Sequence, residues 1–244
     1  MKDYQDSTYG QRIAGIYDEL YAGFDPAMIE LLSDFASQGS ALELGIGTGR
    51  VAIPLQEKGV LIHGVDASEA MISVLRTKTN GDKIEVLMSS FADFEIDKHF
   101  NLIYIVANTF FALLTQKEQI QCFRSVKQHL SSDGVFVLEV FVPEPGRFIN
   151  HQTVRTSNLL TDRVDLEVSS HDPVSQQVTS QHVMLSEEGI HFYPVKLRYA
   201  WPSELDLMAQ IAGLSLRHRW GSWLKAEFSK DSQKHISVYG LLEK

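Results

Sequence analysis

The sequence predicts an α/β fold: a mostly parallel sheet flanked by helices, with an antiparallel β insertion in its second half. Three observations carry this. From Ala41 onward, short β-branched apolar runs alternate with segments of helical spacing, the signature of βαβ units. A glycine-rich bend, "ELGIGTGR", follows the first of those runs. After Pro143 the apolar period becomes two, and no internal repeat or low-complexity linker separates the halves.

At the N-terminus, "GIYDELYAGF" sets Tyr17 and Tyr21 one helical turn apart, so they share a face. The expected strands are residues 41–46 (ALELGI), 61–66 (LIHGVD), 83–88 (KIEVLM), 101–107 (NLIYIVA) and 135–141 (VFVLEVF). Helical spacing is read over 50–58, 68–78 and 116–130, with Gly134 expected where the chain turns out of the last of these into a strand. The insertion reads as antiparallel strands, "RVDLEVSS", "QQVTSQHVML" and "IHFYPVKLRY", separated by the turn signals "HDPVS" and "SEEG". A helix over 202–212 follows, with Pro202 near its start and Gly213 past its end, and "HISVYGLLE" is a final strand.

The 244 residues suffice for one domain with an ordinary core. With 22 basic and 31 acidic side chains the formal charge is -9, and no Lys/Arg stripe tracks phosphates, so no nucleic-acid partner is expected. The pairs Arg217/Arg219 and Lys196/Arg198 read as solvated faces. Cys122 is the sole cysteine, which excludes an intrachain disulfide and a cysteine-based zinc site, and its helical apolar position reads as core. The N-terminus lacks the apolar segment of a signal peptide, and the apolar run from Leu102 to Leu114 is too short to span a bilayer. A soluble, cytoplasmic protein without a membrane partner is the expectation.

In open α/β sheets the loop after the first strand is the usual ligand contact. The glycines here are Gly45, Gly47 and Gly49, and Arg50 stands where a dinucleotide fingerprint needs its third glycine. No Gly-Lys-Ser/Thr follows either, so a P-loop fails too. A Glu43 carboxylate at the strand end would repel a pyrophosphate and attract an ammonium or sulfonium. Asp66, at the end of the second strand, suits a ribose diol. A ligand with a ribose and a positive charge but no phosphate fits both ends, and S-adenosylmethionine is such a molecule.

The series "ALELGIGTGR", "GVDAS", "SSFADF", "FNLIYIVANTF" and "LSSDGVFVLEV" resembles class I S-adenosylmethionine-dependent methyltransferases, over roughly Tyr17 to Val142. The insertion and "RYAWPSELDLMAQIAGL" resemble the small-molecule members of that family, including those acting on nucleotide-linked amino sugars. The resemblance implies a Rossmann-like methyltransferase fold with a seven-stranded, mostly parallel sheet. It divides one domain, residues 1–244, into an N-terminal helical lid (1–38), a cofactor-binding core (39–142), a β-rich acceptor cap (143–200) and a last helix with C-terminal strands (201–244). It also implies that Gly45 and Gly47 lie against the methionine moiety, Asp66 holds the ribose, and Ala67 and Met71 flank the adenine. At the turn after strand three the family carries an Asp for the adenine amino group; here Ser90 stands in its place, with Phe91 following. The family uses N-terminal tyrosines as a lid, so Tyr17 is lid or core.

Asn108 and Thr109 end strand four where a methyl group would be presented, and "ANTFF" lacks the two prolines of base N-methylating enzymes. Histidines are the natural bases near neutral pH. Among His63, His129, His182 and His191, the expected base is His182, in the insertion covering the acceptor. Arg198, Tyr199 and Trp201, with Trp220 and Trp223, are candidates for an acceptor wall. No metal spacing is present. The expected function is methyl transfer from S-adenosylmethionine to an oxygen or nitrogen of a small molecule, leaving S-adenosylhomocysteine. The rivals are a nicotinamide-dependent oxidoreductase and a cofactor-binding subunit without turnover. The oligomeric state is not set by the sequence.

Overall fold

The computed structural model describes residues 1, 3–37 and 39–242. In chain order the elements are α1 (Thr8–Ile13), α2 (Tyr17–Leu20), α3 (Pro26–Ala36), β1 (Ser40–Leu44), α4 (Ala52–Glu57), β2 (Leu61–Asp66), α5 (Glu69–Thr77), β3 (Glu85–Met88), β4 (Phe100–Ile105), α6 (Gln116–His129) and β5 (Leu130–Phe141). There follow β6 (Gln152–Leu159), β7 (Arg163–Asp172), β8 (Gln177–Ser186), β9 (Gly189–Arg198), α7 (Pro202–Ala212), β10 (Leu214–Trp220) and β11 (Lys234–Leu241). The helices begin where side chains satisfy their free amides. Asp25 accepts from Ala27 N, Ser68 Oγ from Met71 N, and Thr115 with Glu118 forms a reciprocal capping box. Pro202 opens α7, and Gly213, at φ 88°, closes it.

A seven-stranded sheet runs in the order β10-β11-β5-β4-β1-β2-β3, and only β11 is antiparallel to its neighbours. Both of its faces are covered, so β4 is apolar on both: Leu102 and Tyr104 pack with α3 and α4, and Ile103 with Phe123 and Leu205 of α6 and α7. A second sheet, β6-β7-β8-β9, is an antiparallel meander. On one side of it Arg155, Glu167, His182 and Tyr193 stand in register across the four strands, and Tyr193 packs against Ile13 of α1.

The structure differs from the sequence reading in four places, the first being β6, which joins the three strands expected in the insertion as a fourth. β10 is a strand that the reading omits. Arg219 within it is no solvated charge: its guanidinium bonds Asp206 at 2.6 and 3.1 Å and Ser237 at 2.9 Å. Gly134 lies inside β5, which starts at Leu130. The register slips between the pairs Phe100–Leu130 and Leu102–Val135, and a Cβ at Gly134 would stand 2.7 Å from the Phe100 carbonyl oxygen. Residues 1–38, expected as one helical lid, divide between the main core and the cleft. α3 is a layer of the main core through Met28, Ile29 and Leu32, whereas Tyr4 and Asp6 before α1, together with α1 and α2, border the cleft.

Candidate active site

The chain leaves β1 for β2 on one side and reaches β4 on the other, which opens a crevice at the carboxyl ends of these strands. The glycine loop forms its floor. Gly45 and Ile46 donate to the Val65 carbonyl at 2.7 and 3.1 Å, and Gly45, Gly47 and Gly49 all have positive φ. A Cβ on Gly45 would come within 2.4 Å of Thr109 Cγ2, so bare backbone is required there. Above the loop lies a cavity of about 430 Å³. Gly45, Gly47, Asp66, Ala67, Met71, Ser90, Phe91 and Asn108 line it together with Tyr17 and His182.

Asp66 is fixed before any ligand arrives. Its carboxylate accepts Gly47 N at 2.7 Å on one oxygen and Ser68 N at 2.8 Å on the other, leaving each oxygen further lone pairs. Burial raises its pKa, and these backbone donors oppose that rise. Ser90 Oγ accepts from Ala92 N at 3.4 Å. Asn108 sits in the left-handed region at φ 65°, and its Oδ1 accepts Phe141 N at 2.7 Å, pinning the end of β4 to β5.

Glu43 does not line this cavity, which corrects the expectation of a carboxylate facing the ligand. It lies beneath the loop, buried, and accepts the Tyr104 hydroxyl at 2.9 Å. Burial pushes its carboxyl up to about 8; the Tyr104 bond and the Arg50 charge oppose this, and Asp66 adds to it. At neutral pH it is mainly protonated. The acidic side chains on the cavity wall are Asp66, at the tip of β2, and Asp6, in the segment before α1.

The N-terminal segment closes the cavity. Thr48 Oγ1 donates to Asp18 at 2.7 Å, and Lys78 pairs with the same carboxylate at 2.6 Å, so α2 is tied to both the loop and α5. Tyr17 packs on Tyr21 with ring centroids 4.9 Å apart, and the Tyr9 hydroxyl donates to that of Tyr21 at 3.4 Å. Burial raises the Tyr17 phenol while Arg50 opposes the shift. Arg50 Nη1 bonds the Gly23 carbonyl at 3.0 Å, and its buried Nε has no partner among the described residues. Tyr9 and Arg50 both line the cavity, and the sequence reading assigned neither. Tyr9 carries no local signal, whereas Arg50 was visible but used only as a departure from the dinucleotide fingerprint.

His182, on β8, borders both this cavity and a second one of about 670 Å³ beneath the insertion sheet. Its ring makes no hydrogen bond among the described residues. Burial lowers its pKa, with Glu167 opposing and Arg155 assisting. His63 and His129 are scaffold residues: one pairs with Glu85 at 3.1 Å, and the other accepts Ile96 N at 3.0 Å. His191 is exposed.

The proposed acceptor wall is not assembled. Arg198 is buried outside the cavity, bonding Gln119 at 2.6 Å and Glu204 at 2.7 Å, where it clamps β9 to α6 and α7. Tyr199 lines the second cavity, and its hydroxyl bonds His171 Nε2 at 3.0 Å. Trp201 precedes α7 and is exposed. Trp220 stacks on His218 at 5.0 Å, and Trp223 is buried with its Nε1 donating to Glu139 at 3.0 Å. Among the described residues no cluster of three His, Cys, Asp or Glu is placed to hold a metal, and no helix is long and apolar enough to cross a membrane.

Residues 41–134 match the family model of a methyltransferase domain. The chain is similar to the CcbJ methyltransferase from Streptomyces caelestis, with 37% identity, 98% of this chain and 100% of that one covered, and a TM-score of 0.91. It is 28% identical over 200 residues, 82% of each chain, to the cypemycin N-terminal methyltransferase of Streptomyces sp. An S-adenosylmethionine-dependent methyltransferase from Clostridium acetobutylicum shares the fold, with a TM-score of 0.77 at 16% identity over 95% of this chain and 98% of that one.

Proposed function

The chain belongs to the class I S-adenosylmethionine-dependent methyltransferases, and from that premise we propose that it methylates an amine nitrogen of a small-molecule acceptor. His182, an imidazole without a hydrogen bond among the described residues, stands where the cofactor cavity meets the second cavity and can take a proton from an ammonium or a hydroxyl, so the choice of nitrogen over oxygen rests on the cypemycin relative. An amine is largely protonated near neutral pH, and its lone pair is free only after a base takes the proton. The cypemycin relative, whose name assigns it to an N-terminus, supports the same atom type.

The residues fit the cofactor. Gly45 and Gly47 offer backbone without side chains to the methionine moiety, and Asp66 offers anchored carboxylate oxygens to a ribose diol. Ala67, Met71, Ser90 and Phe91 form the wall for an adenine. Of the two cations on this wall, Lys196 donates to the Met1 carbonyl, and Arg50 keeps its Nε without a partner among the described residues, so Arg50 is the one offered to a carboxylate. When bound, S-adenosylmethionine supplies a methyl carbon that is already electrophilic.

The chain's own task is then positioning and proton removal. Tyr9, Tyr17 and Tyr21 cover the cleft and exclude water. Asn108 holds the end of β4, fixing the floor opposite them. His182 accepts the proton of the acceptor's ammonium, and the freed amine is held in line with the methyl group by the walls of the second cavity, Phe148, Val178 and Leu197 among them.

The test is methyl transfer from labelled S-adenosylmethionine to matched small molecules that differ only in carrying an amine, a hydroxyl or a carboxylate, with short peptides bearing a free N-terminus as a further arm. The expected product carries the label on an amine nitrogen of a small molecule. His182→Asn is expected to lower kcat by about 10²-fold or more with little change in cofactor affinity. Label found only on oxygen, or only on peptide N-termini, overturns the assignment.

A further inference from the structure

On the cavity side of the insertion sheet, Arg155 stands opposite Glu167, Glu167 opposite His182, and His182 opposite Tyr193. Residues opposed on one face of antiparallel strands have Cβ atoms about 4.5–5.5 Å apart, which puts a carboxylate within direct electrostatic reach of the imidazole. Glu167 is buried and tightly held. Arg155 bonds it at 2.5 Å, Arg147 lies at 3.6 Å, and Ser169 Oγ donates to it at 2.9 Å, itself bonded to Ser180 Oγ at 2.7 Å. Both Glu167 and His182 border the second cavity. A carboxylate brought into this wall at a desolvation cost, and restrained by three partners, has a fixed direction relative to the ring.

Resting on the reading of His182 as the base, we propose that Glu167 is its positioning residue: it stabilises the imidazolium formed when His182 accepts the acceptor's proton, while Arg155 on the far strand limits that stabilisation and keeps the ring a base. The proton moves from the acceptor ammonium to a ring nitrogen, and the positive charge then stands one strand from the carboxylate. Other charged groups share the cavities of His182: Glu144, Arg147, Lys230 and Asp231 line the second cavity, with Lys230 paired to Asp231 at 3.0 Å, and Asp6, Arg50 and Asp66 line the cofactor cavity. Tyr193 on β9 and Tyr21 from α2's end present their phenols beside His182. Asp165, one pair along β7, is turned to Arg163 Nε at 3.2 Å. Lys196, on the cofactor side, donates to the Met1 carbonyl at 3.0 Å. Glu167 is thus the anion whose direct neighbour across the ladder is the imidazole.

The experiment follows the His182 ring by NMR in the full chain saturated with S-adenosylhomocysteine, using ¹³C-labelled histidine and assigning the signal by its loss in His182→Asn. In Glu167→Gln the titration midpoint is expected to fall by about half a pH unit or more, and in Arg155→Gln to rise by a similar amount. The acid limb of kcat/KM is expected to move in the same two directions while the KM for cofactor stays unchanged, and Glu167→Asp should retain most of the wild-type profile. A merely structural Glu167 would reduce melting temperature and rate without opposed shifts. Midpoints that stay within error in both variants overturn the proposal; should Glu167→Gln fail to fold, an unmoved midpoint in Arg155→Gln does so alone. An acid limb that persists in His182→Asn overturns the base reading instead, and the NMR shifts still decide the pairing.

Discussion

Asp66, at the tip of β2, accepts the Gly47 amide at 2.7 Å, so the strand end and the glycine loop form one preorganised unit. Replacing Asp66 therefore removes a ligand contact and loosens the loop together. Asp66→Ala is expected to weaken S-adenosylhomocysteine binding by about 1–3 kcal/mol, the scale of charge-assisted hydrogen bonds. Calorimetric titration checks it. Asp66→Asn keeps an oxygen for one amide but loses the charge, so its loss should be intermediate. Unchanged affinity in both would assign the ribose to another group.

Gly45 faces Thr109 across the cleft floor, and its φ of 75° is strained for any side chain. Gly45→Ala is expected to lose roughly 1–3 kcal/mol of stability through the backbone and the 2.4 Å approach to Thr109 Cγ2. Thr109→Ser removes that methyl. The double variant should regain the steric share and keep the backbone share, as read from denaturant midpoints. Full additivity of the two single effects would show that the two side chains do not meet.

Why some of this was legible and some not follows from the range of the forces involved. The sheet was readable because β1, β2 and β4 are buried on both faces and so carry dense apolar runs. Asp66 and the glycines were readable because a strand tip and a positive-φ bend each impose a local residue type. The Glu43 burial was not, since it depends on Tyr104, 61 residues away on the adjacent strand. β10 escaped notice because its basic residues, Arg217 and Arg219, looked like a solvated face, whereas Asp206 of the preceding helix neutralises Arg219. Arg198 was similarly misread: charge beside aromatics in a β-rich segment suggested a binding wall, and only the packing of α6 and α7 on β9 reveals its partners.

The ligand-free protein should lose stability through Glu43 as pH rises. Its folded-state pKa, about 8, lies above the ordinary 4.5, so between those values the folded protein holds a proton that the unfolded chain has released. The contribution is present at and below pH 4.5 and is withdrawn as pH climbs through 8. Glu43→Gln has no such proton. Relative to wild type, its stability is expected to improve by about 3–4 kcal/mol between pH 5 and pH 8, or roughly 10 °C in melting temperature. Parallel melting curves for the two proteins across that range would contradict the burial argument.

Arg50 ties the N-terminal segment to the cleft through the Gly23 carbonyl and keeps a buried Nε without a partner among the described residues. A carboxylate on the ligand would satisfy it. Arg50→Met is accordingly expected to weaken S-adenosylhomocysteine binding by about tenfold or more while changing the affinity for 5′-methylthioadenosine, which lacks the amino-acid end, by less than about threefold. Equal losses for the two ligands would mean that Arg50 acts only by holding that segment.

Arg198 offers the opposite outcome, a charged residue whose loss should spare the ligand. Its guanidinium is buried and bonds Gln119, Gln176 and the Glu204 carboxylate, and Glu204 also accepts from Gln116 and Gln176. Removing one member of such a buried pair leaves the other charge uncompensated, at a cost of about 3–5 kcal/mol. Arg198→Met is expected to lower the denaturant midpoint accordingly, with S-adenosylhomocysteine affinity unchanged in the folded fraction. Arg198→Met with Glu204→Leu removes both charges, so it should recover much of that stability. A large loss of acceptor turnover at unchanged stability would return Arg198 to the acceptor wall.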